Sequence, residues 1–162
     1  MKRIAKFEHV SDAQFAEAWK NSPEPVPAFP PLPRRATAGS AGYDFFLPTP
    51  LHLAPGETAK IPTGVRVRME EGWVLQLYPR SGLGFSYRLQ LNNTVGIIDS
   101  DYYYSDNEGH IFIKVTNDSN EGKVLQLQAG DAFAQGIFME YGITEDDDTT
   151  AVRNGGLGST SR

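Results

Sequence analysis

From Tyr43 onward, apolar and polar residues alternate in short runs separated by Gly, Pro, Asn and Asp. Val65, Val67 and Met69 are interleaved with Arg66 and Arg68, and Trp73, Leu75 and Leu77, then Ile111, Ile113 and Val115, then Leu125 and Leu127 repeat the spacing. Residues two apart share a face of a strand, so each run predicts a strand whose apolar face needs a second layer. Many short strands with turn residues between them predict a sandwich, barrel or jelly roll rather than alternating β and α units. The fold class read from the pattern is all-β.

One helix is predicted ahead of this region, over residues 10–20. Ser11 can cap it, Gln14 completes a capping box, Val10 can staple against Phe15, and Ala13, Phe15, Ala16, Ala18 and Trp19 supply an apolar side. No second helix is evident. Six prolines between Ser22 and Pro33 exclude helix and central strand, which leaves an extended strap: a linker, or a segment read by an aromatic-lined partner groove. After Glu145-Asp146-Asp147-Asp148 the chain turns glycine-rich, and such a tail is expected to be mobile until a ligand or partner orders it. The expected division is 1–33 for helix and strap, 34–144 for the β-domain and 145–162 for the tail.

Composition narrows the chemistry. A chain of 162 residues suits one domain, and the absence of cysteine excludes disulfides, thiolate zinc sites and cysteine nucleophiles. The formal charge of −5 argues against general nucleic-acid binding, which relies on Lys and Arg at phosphates. An isolated nucleotide remains a suitable ligand, because a few aimed donors and a divalent cation suffice for it. No apolar run is long enough for a membrane helix, and the basic Met1-to-Lys6 stretch is not followed by a signal-like segment, so a cytoplasmic location is expected.

Four segments carry groups suited to phosphate or water. Pro79-Arg80-Ser81-Gly82 offers an arginine fork, a hydroxyl and amides for an anion, or is an ordinary strand-end turn. In the stretch from Asn93 through Gly96, Ile97 and Ile98 to Asp99-Ser100-Asp101-Tyr102, Asp99 can act as a general base at a pocket mouth and Tyr102 can lie against a sugar or base; the alternative is a hairpin end with a packed tyrosine. Gln135, in the apolar run after Gly130-Asp131, must find hydrogen bonds from a ligand or an adjacent strand. Gly155-Gly156-Leu157-Gly158-Ser159-Thr160 looks like a phosphate cradle but lacks the spacing and lysine of a P-loop. His9, His52 and His110 are too scattered for a histidine metal site, and no Gly-x-Ser-x-Gly turn is present.

In order, Ala41-Gly42-Tyr43-Asp44, Pro79-Arg80-Ser81-Gly82, Gly96 through Tyr102, Gly130-Asp131 through Gln135, and the Gly-Gly-Leu-Gly-Ser-Thr tail resemble the five motifs of the trimeric dUTPase family, from roughly residue 34 to the C-terminus. The resemblance implies a jelly-roll (β-clip-like) subunit in a homotrimer whose sites draw on all three chains. It implies hydrolysis of dUTP to dUMP and pyrophosphate, with Asp99 deprotonating the water that attacks the α-phosphorus and Mg²⁺ held by the phosphates. By the same resemblance the hairpin from Asn93 through Gly96 and Ile97 to Ile98 reads uracil, and Tyr102 lies against deoxyribose. Arg80, Ser81, Gly82 and Gln135 bind phosphate, Arg153, Leu157, Gly158, Ser159 and Thr160 close over the nucleotide, and Asp44 supports the metal side indirectly. Two departures stand out: Leu157 where the family commonly has Phe, and an insertion at 103–108 before Gly109. That loop, or the proline strap, is a candidate surface for a regulatory protein partner. A dCTP deaminase and a nucleotide-gated regulatory protein are the competing readings.

Overall fold

The computed structural model describes residues 1–155. In chain order the elements are β1 (Ala5–His9), α1 (Asp12–Trp19), β2 (Arg34–Arg35), β3 (Tyr43–Phe46), β4 (Leu51–Leu53), β5 (Thr58–Pro62), β6 (Val65–Met69) and β7 (Trp73–Pro79). There follow α2 (Ser81–Tyr87), β8 (Leu89–Leu91), β9 (Gly96–Ile98), a 3₁₀ turn (Ser100–Tyr104), β10 (Phe112–Asn117), β11 (Leu125–Leu127) and β12 (Ala132–Glu140). The predicted all-β architecture is present as a jelly roll. One five-stranded sheet has the order β2-β3-β12-β7-β9; smaller sheets pair β5-β10-β8, β11-β4 and β1-β6.

The predicted alternation is what buries the core. In β6, Val65, Val67 and Met69 point inward while Arg66 and Arg68 lie between them, and β10 repeats this with Ile113 and Val115. Phe45, Leu75, Leu77 and Phe133 close the layer, each contributing about 2 kcal/mol by leaving water.

Four local expectations are corrected. The alternation from Tyr43 onward does not extend to β1, yet this strand pairs antiparallel with β6 from Ala5↔Met69 to His9↔Val65. Its period-two pattern of Ala5 and Phe7 against Lys6 and Glu8 is short, and Phe7 completes it by packing on the rings of Tyr43, Phe45 and Phe138 at 5.3–5.8 Å. A second helix, α2, does form: Gly84 N–H bonds to the Arg80 carbonyl at 2.9 Å, and Arg88 ends the helix with φ of 50°. Its two glycines, and an apolar side limited to the partly buried Leu83 and Tyr87, leave too short a stripe to read.

The capping box is only half made. Ser11 Oγ accepts the Gln14 amide at 3.1 Å, but the Ser11 N–H goes to Glu108 Oε1 at 2.9 Å, and Gln14 turns instead toward His110. Finally, 93–98 is not a paired hairpin. β8 bonds to β10 and β9 bonds to β7, so the segment crosses between sheets through a tight bend with Thr94 at φ 68°.

The proline strap links α1 to the domain and also lies on it. Phe29 stacks on Phe15 at 4.5 Å and on His9 at 4.6 Å, and His9 Nε2 lies 3.0 Å from the Pro30 carbonyl.

Candidate active site

The candidate residues fall into two clusters at opposite ends of β7. The first lies where β7 leaves its sheet. Gln135 on β12 sits opposite Tyr78 of β7 and Asp44 of β3, which brings Asp44, Arg80, Ser81, Gly82 and Gln135 around a cavity of about 190 Å³. Arg80 Nε meets Asp44 Oδ1 at 3.1 Å, so the arginine is held by a partly exposed pair rather than by a second strand. The Gln135 amide donates to the Pro79 carbonyl at 3.1 Å, which is the adjacent-strand partner expected as one alternative, and its remaining polar capacity lines the cavity. The Ser81 and Gly82 amides open α2 and have no intrahelical acceptor. This cavity suits an anion and is too small for a whole nucleotide, whose pockets usually start near 300 Å³.

The second cluster follows β9. Gly96 is opposite Leu77, and a Cβ on it would meet Leu77 Cβ at 2.9 Å, so glycine is what lets β9 approach β7. Ile98 pairs with Leu75, after which Asp99 opens the 3₁₀ turn with half of its side chain exposed. Ile97 is more than half exposed, presenting apolar surface at the same edge. Tyr102 is only 8% exposed; its hydroxyl donates to the His110 carbonyl at 2.6 Å and accepts from Asn107 Nδ2 at 2.9 Å. The ring is thus fixed as a wall. Arg153 joins this cluster, with Nη2 2.6 Å from Asp99 Oδ2 and Nε 2.8 Å from Asp101 Oδ1. Leu157, Gly158, Ser159 and Thr160 lie outside the described residues.

The two clusters do not meet within one chain. Asp99 lies opposite Val74 by the β7–β9 register, six residues from Arg80, or about 20 Å along a strand. No group of three or more His, Asp or Glu side chains that could cage a metal occurs among the described residues. Asp44 is the one carboxylate lining the first cavity and is paired with Arg80, which does not make a protein-only cage for a cation.

Several supporting residues carry no signal in the sequence pattern. The 103–108 insertion is tied to the N-terminal elements: Tyr103 Oη donates to Glu8 at 2.7 Å, Ser11 Oγ to Glu108 at 2.6 Å, and the Arg66 guanidinium covers the Tyr103 ring at 3.6 Å. Gly109 reverses the chain at φ 70°, where a Cβ would strike the Tyr103 backbone at 2.7 Å. These are long-range contacts, and nothing in local spacing announces them.

His110 is fully buried; Nε2 accepts the Gly64 amide at 2.9 Å. Burial, opposed by the Glu108 charge and reinforced by Lys60, lowers its pKa from 6.5 to about 4. The unfolded chain therefore takes a proton that the folded chain refuses. His110's contribution is complete above pH 6.5 and is lost as pH falls through about 4, by at most about 3 kcal/mol. The urea midpoint of the parent is expected to drop more than that of His110→Gln between about pH 7 and 4.5; equal drops would remove His110 as the cause.

A jelly roll with Arg80, Ser81 and Gly82 at one end of β7 and Asp99 and Tyr102 at the other has the groups that suit a phosphate-handling β-protein. The chain belongs to the dUTPase family, whose family model matches residues 30–161. It is 41% identical over 132 residues to the deoxyuridine 5'-triphosphate nucleotidohydrolase of Lactococcus lactis, covering 80% of this chain and 87% of that one. It is 40% identical over 140 residues to the enzyme of the same name from Tolumonas auensis, covering 82% and 88%. Among solved structures it resembles the dUTPase of Streptococcus mutans, with TM-score 0.65 and 34% identity over 86% of this chain and 98% of that one. A mutant dUTPase from phage phi11 of S. aureus, which coordinates a structural Mg(II) ion, shares the fold with TM-score 0.65 at 21% identity, covering 92% and 98%.

Proposed function

We propose that this chain hydrolyses dUTP to dUMP and pyrophosphate, which keeps uracil out of DNA and supplies dUMP for thymidylate synthesis. The observation that carries this reading is the match of residues 30–161 to the dUTPase family model, and the candidate residues at the two ends of β7 support it.

Asp99 accepts a proton from water, the water oxygen attacks the α-phosphorus, and the bond to the bridging oxygen breaks to release pyrophosphate. Arg80, Ser81, Gly82 and Gln135 hold phosphate oxygens and stabilise charge where it develops. The backbone from Asn93 through Gly96 and Ile97 to Ile98 reads uracil, and Tyr102 walls the deoxyribose. Arg153, Leu157, Gly158, Ser159 and Thr160 close over the nucleotide. Asp44 would support a Mg²⁺ ion arriving with the nucleotide, and that ion would supply positive charge to offset the leaving group.

A general base must come within about 3 Å of the water that attacks a bound phosphate, yet the β7–β9 register spaces the Asp99 and Arg80 backbones of one chain by about 20 Å along the strand. That separation supports a site shared between copies, as in a homotrimer, with Asp99 from one chain and the phosphate cradle from another. Exposed Ile97, Met139, Tyr141 and Ile143 provide apolar surface for such association. No helix among the described residues is long and apolar enough to cross a membrane, and a cytoplasmic location is the corresponding proposal. The 103–108 loop and the proline strap remain the surfaces proposed for any regulatory protein partner; Tyr104 is the loop's exposed aromatic.

Incubation with dUTP, dCTP, UTP and dTTP in Mg²⁺ tests the activity. Pyrophosphate from dUTP alone is expected, and deamination of dCTP would overturn the reading. Light scattering or sedimentation is expected to give three chains per particle.

A further inference from the structure

The root of the C-terminal segment is seated, although the residues before it are not. Val152 is 83% exposed, whereas the Arg153 side chain next to it is 17% exposed. Arg153 spends one face of its guanidinium on two carboxylates, Asp99 and Asp101. The following backbone is held by the insertion: the Asp106 amide donates to the Asn154 carbonyl at 3.3 Å, and Ser105 Oγ donates to the Gly155 carbonyl at 3.4 Å.

These contacts compete with the proposed working arrangement, because they hold Oδ2, one of the two carboxylate oxygens of Asp99. An Asp99 oxygen paired with Arg153 at 2.6 Å is not free to take a proton from water. The guanidinium edge that faces Asp99 and Asp101 cannot also face a phosphate. We propose that Asp101, with Ser105 and the Asp106 amide, parks the root of the chain's own tail, so that Arg153 must leave Asp99 before it engages a nucleotide. Asp101 is then a positioning residue that acts through Arg153. The second half of the proposal rests on the dUTP reading above.

Stabilising a parked arrangement that competes with closure weakens apparent nucleotide affinity in proportion. Loosening it does the reverse. Asp101→Asn removes the charge and keeps the shape, so it is expected to bind a non-hydrolysable α,β-imido dUTP about two- to fivefold more tightly than the parent, the range set by partly exposed ion pairs. Turnover at saturating dUTP is expected to stay near the parent's. A simple structural defect would instead weaken binding and lower the melting temperature.

The chain has no cysteine, so Val152→Cys gives a single attachment point for a nitroxide next to Arg153 in the full-length protein. Without nucleotide, the label is expected to be restricted in the parent and in Asp101→Glu, mobile in Asp101→Asn, and released in the parent by molar salt. A label equally restricted with Asp101→Asn, or weaker analogue binding at an unchanged melting temperature, overturns the proposal. If the parent binds no analogue, the dUTP reading fails, while the label still decides whether the tail root is parked.

Discussion

Asp99→Asn is expected to lower dUTP turnover by about 10²- to 10⁴-fold while nucleotide still binds, the range typical for loss of a positioned general base. The substitution is nearly isosteric. The new carboxamide would keep an oxygen where Arg153 Nη2 now donates at 2.6 Å, and it would leave the Ile98↔Leu75 pairing that places the turn undisturbed. What disappears is the capacity to take a proton from water. Single-turnover hydrolysis, with analogue binding measured in parallel, separates the two effects. Near-parental turnover would remove Asp99 from the chemistry, and equal losses of binding and turnover would give it a binding role instead. Asp101→Asn is the internal comparison, since it weakens the same Arg153 contact and spares Asp99.

The strands that carry the core are legible because one face of each is buried against a second layer, and burial imposes a two-residue period on the sequence. Val65, Val67 and Met69 show this directly. β1 escapes such a reading because Phe7 is its one large apolar residue where the equally short β6 has three, and only the ring of Phe7 against Tyr43, Phe45 and Phe138 makes its face apolar in context. α2 escapes it because its packed side is only Leu83 and Tyr87, with an exposed Phe85 between them. At the site, Asp99, Arg80 and Gln135 stand out because a charged or amide group interrupts an apolar run. The partners that hold them do not. Asp101 shares Arg153 across 52 residues and Glu108 holds Ser11 across 97, and sequence separation of that size leaves no local pattern. The β7–β9 register adds what no motif contains, namely that the two halves of the site stand apart on the same strand.

Removing residues 153–162 is expected to reduce kcat/KM for dUTP by about 10²- to 10⁴-fold, the product of about two charge-assisted hydrogen bonds to phosphate at 1.5–3 kcal/mol each. The fold is expected to persist, because residues 141–152 contain no strand or helix and are exposed throughout. Truncation takes away the Arg153 pairs with Asp99 and Asp101 and the weak bonds of Asn154 and Gly155 to the insertion, all at the surface of the β-domain. None touches the layer of Phe45, Leu75, Leu77 and Phe133. Partly exposed ion pairs of this kind contribute little to stability, so the melting temperature and the particle mass should match the parent's while the nucleotide reaction slows. If the truncated chain instead melts well below the parent or changes its oligomeric state, the tail is part of the assembly, and its effect on turnover is indirect.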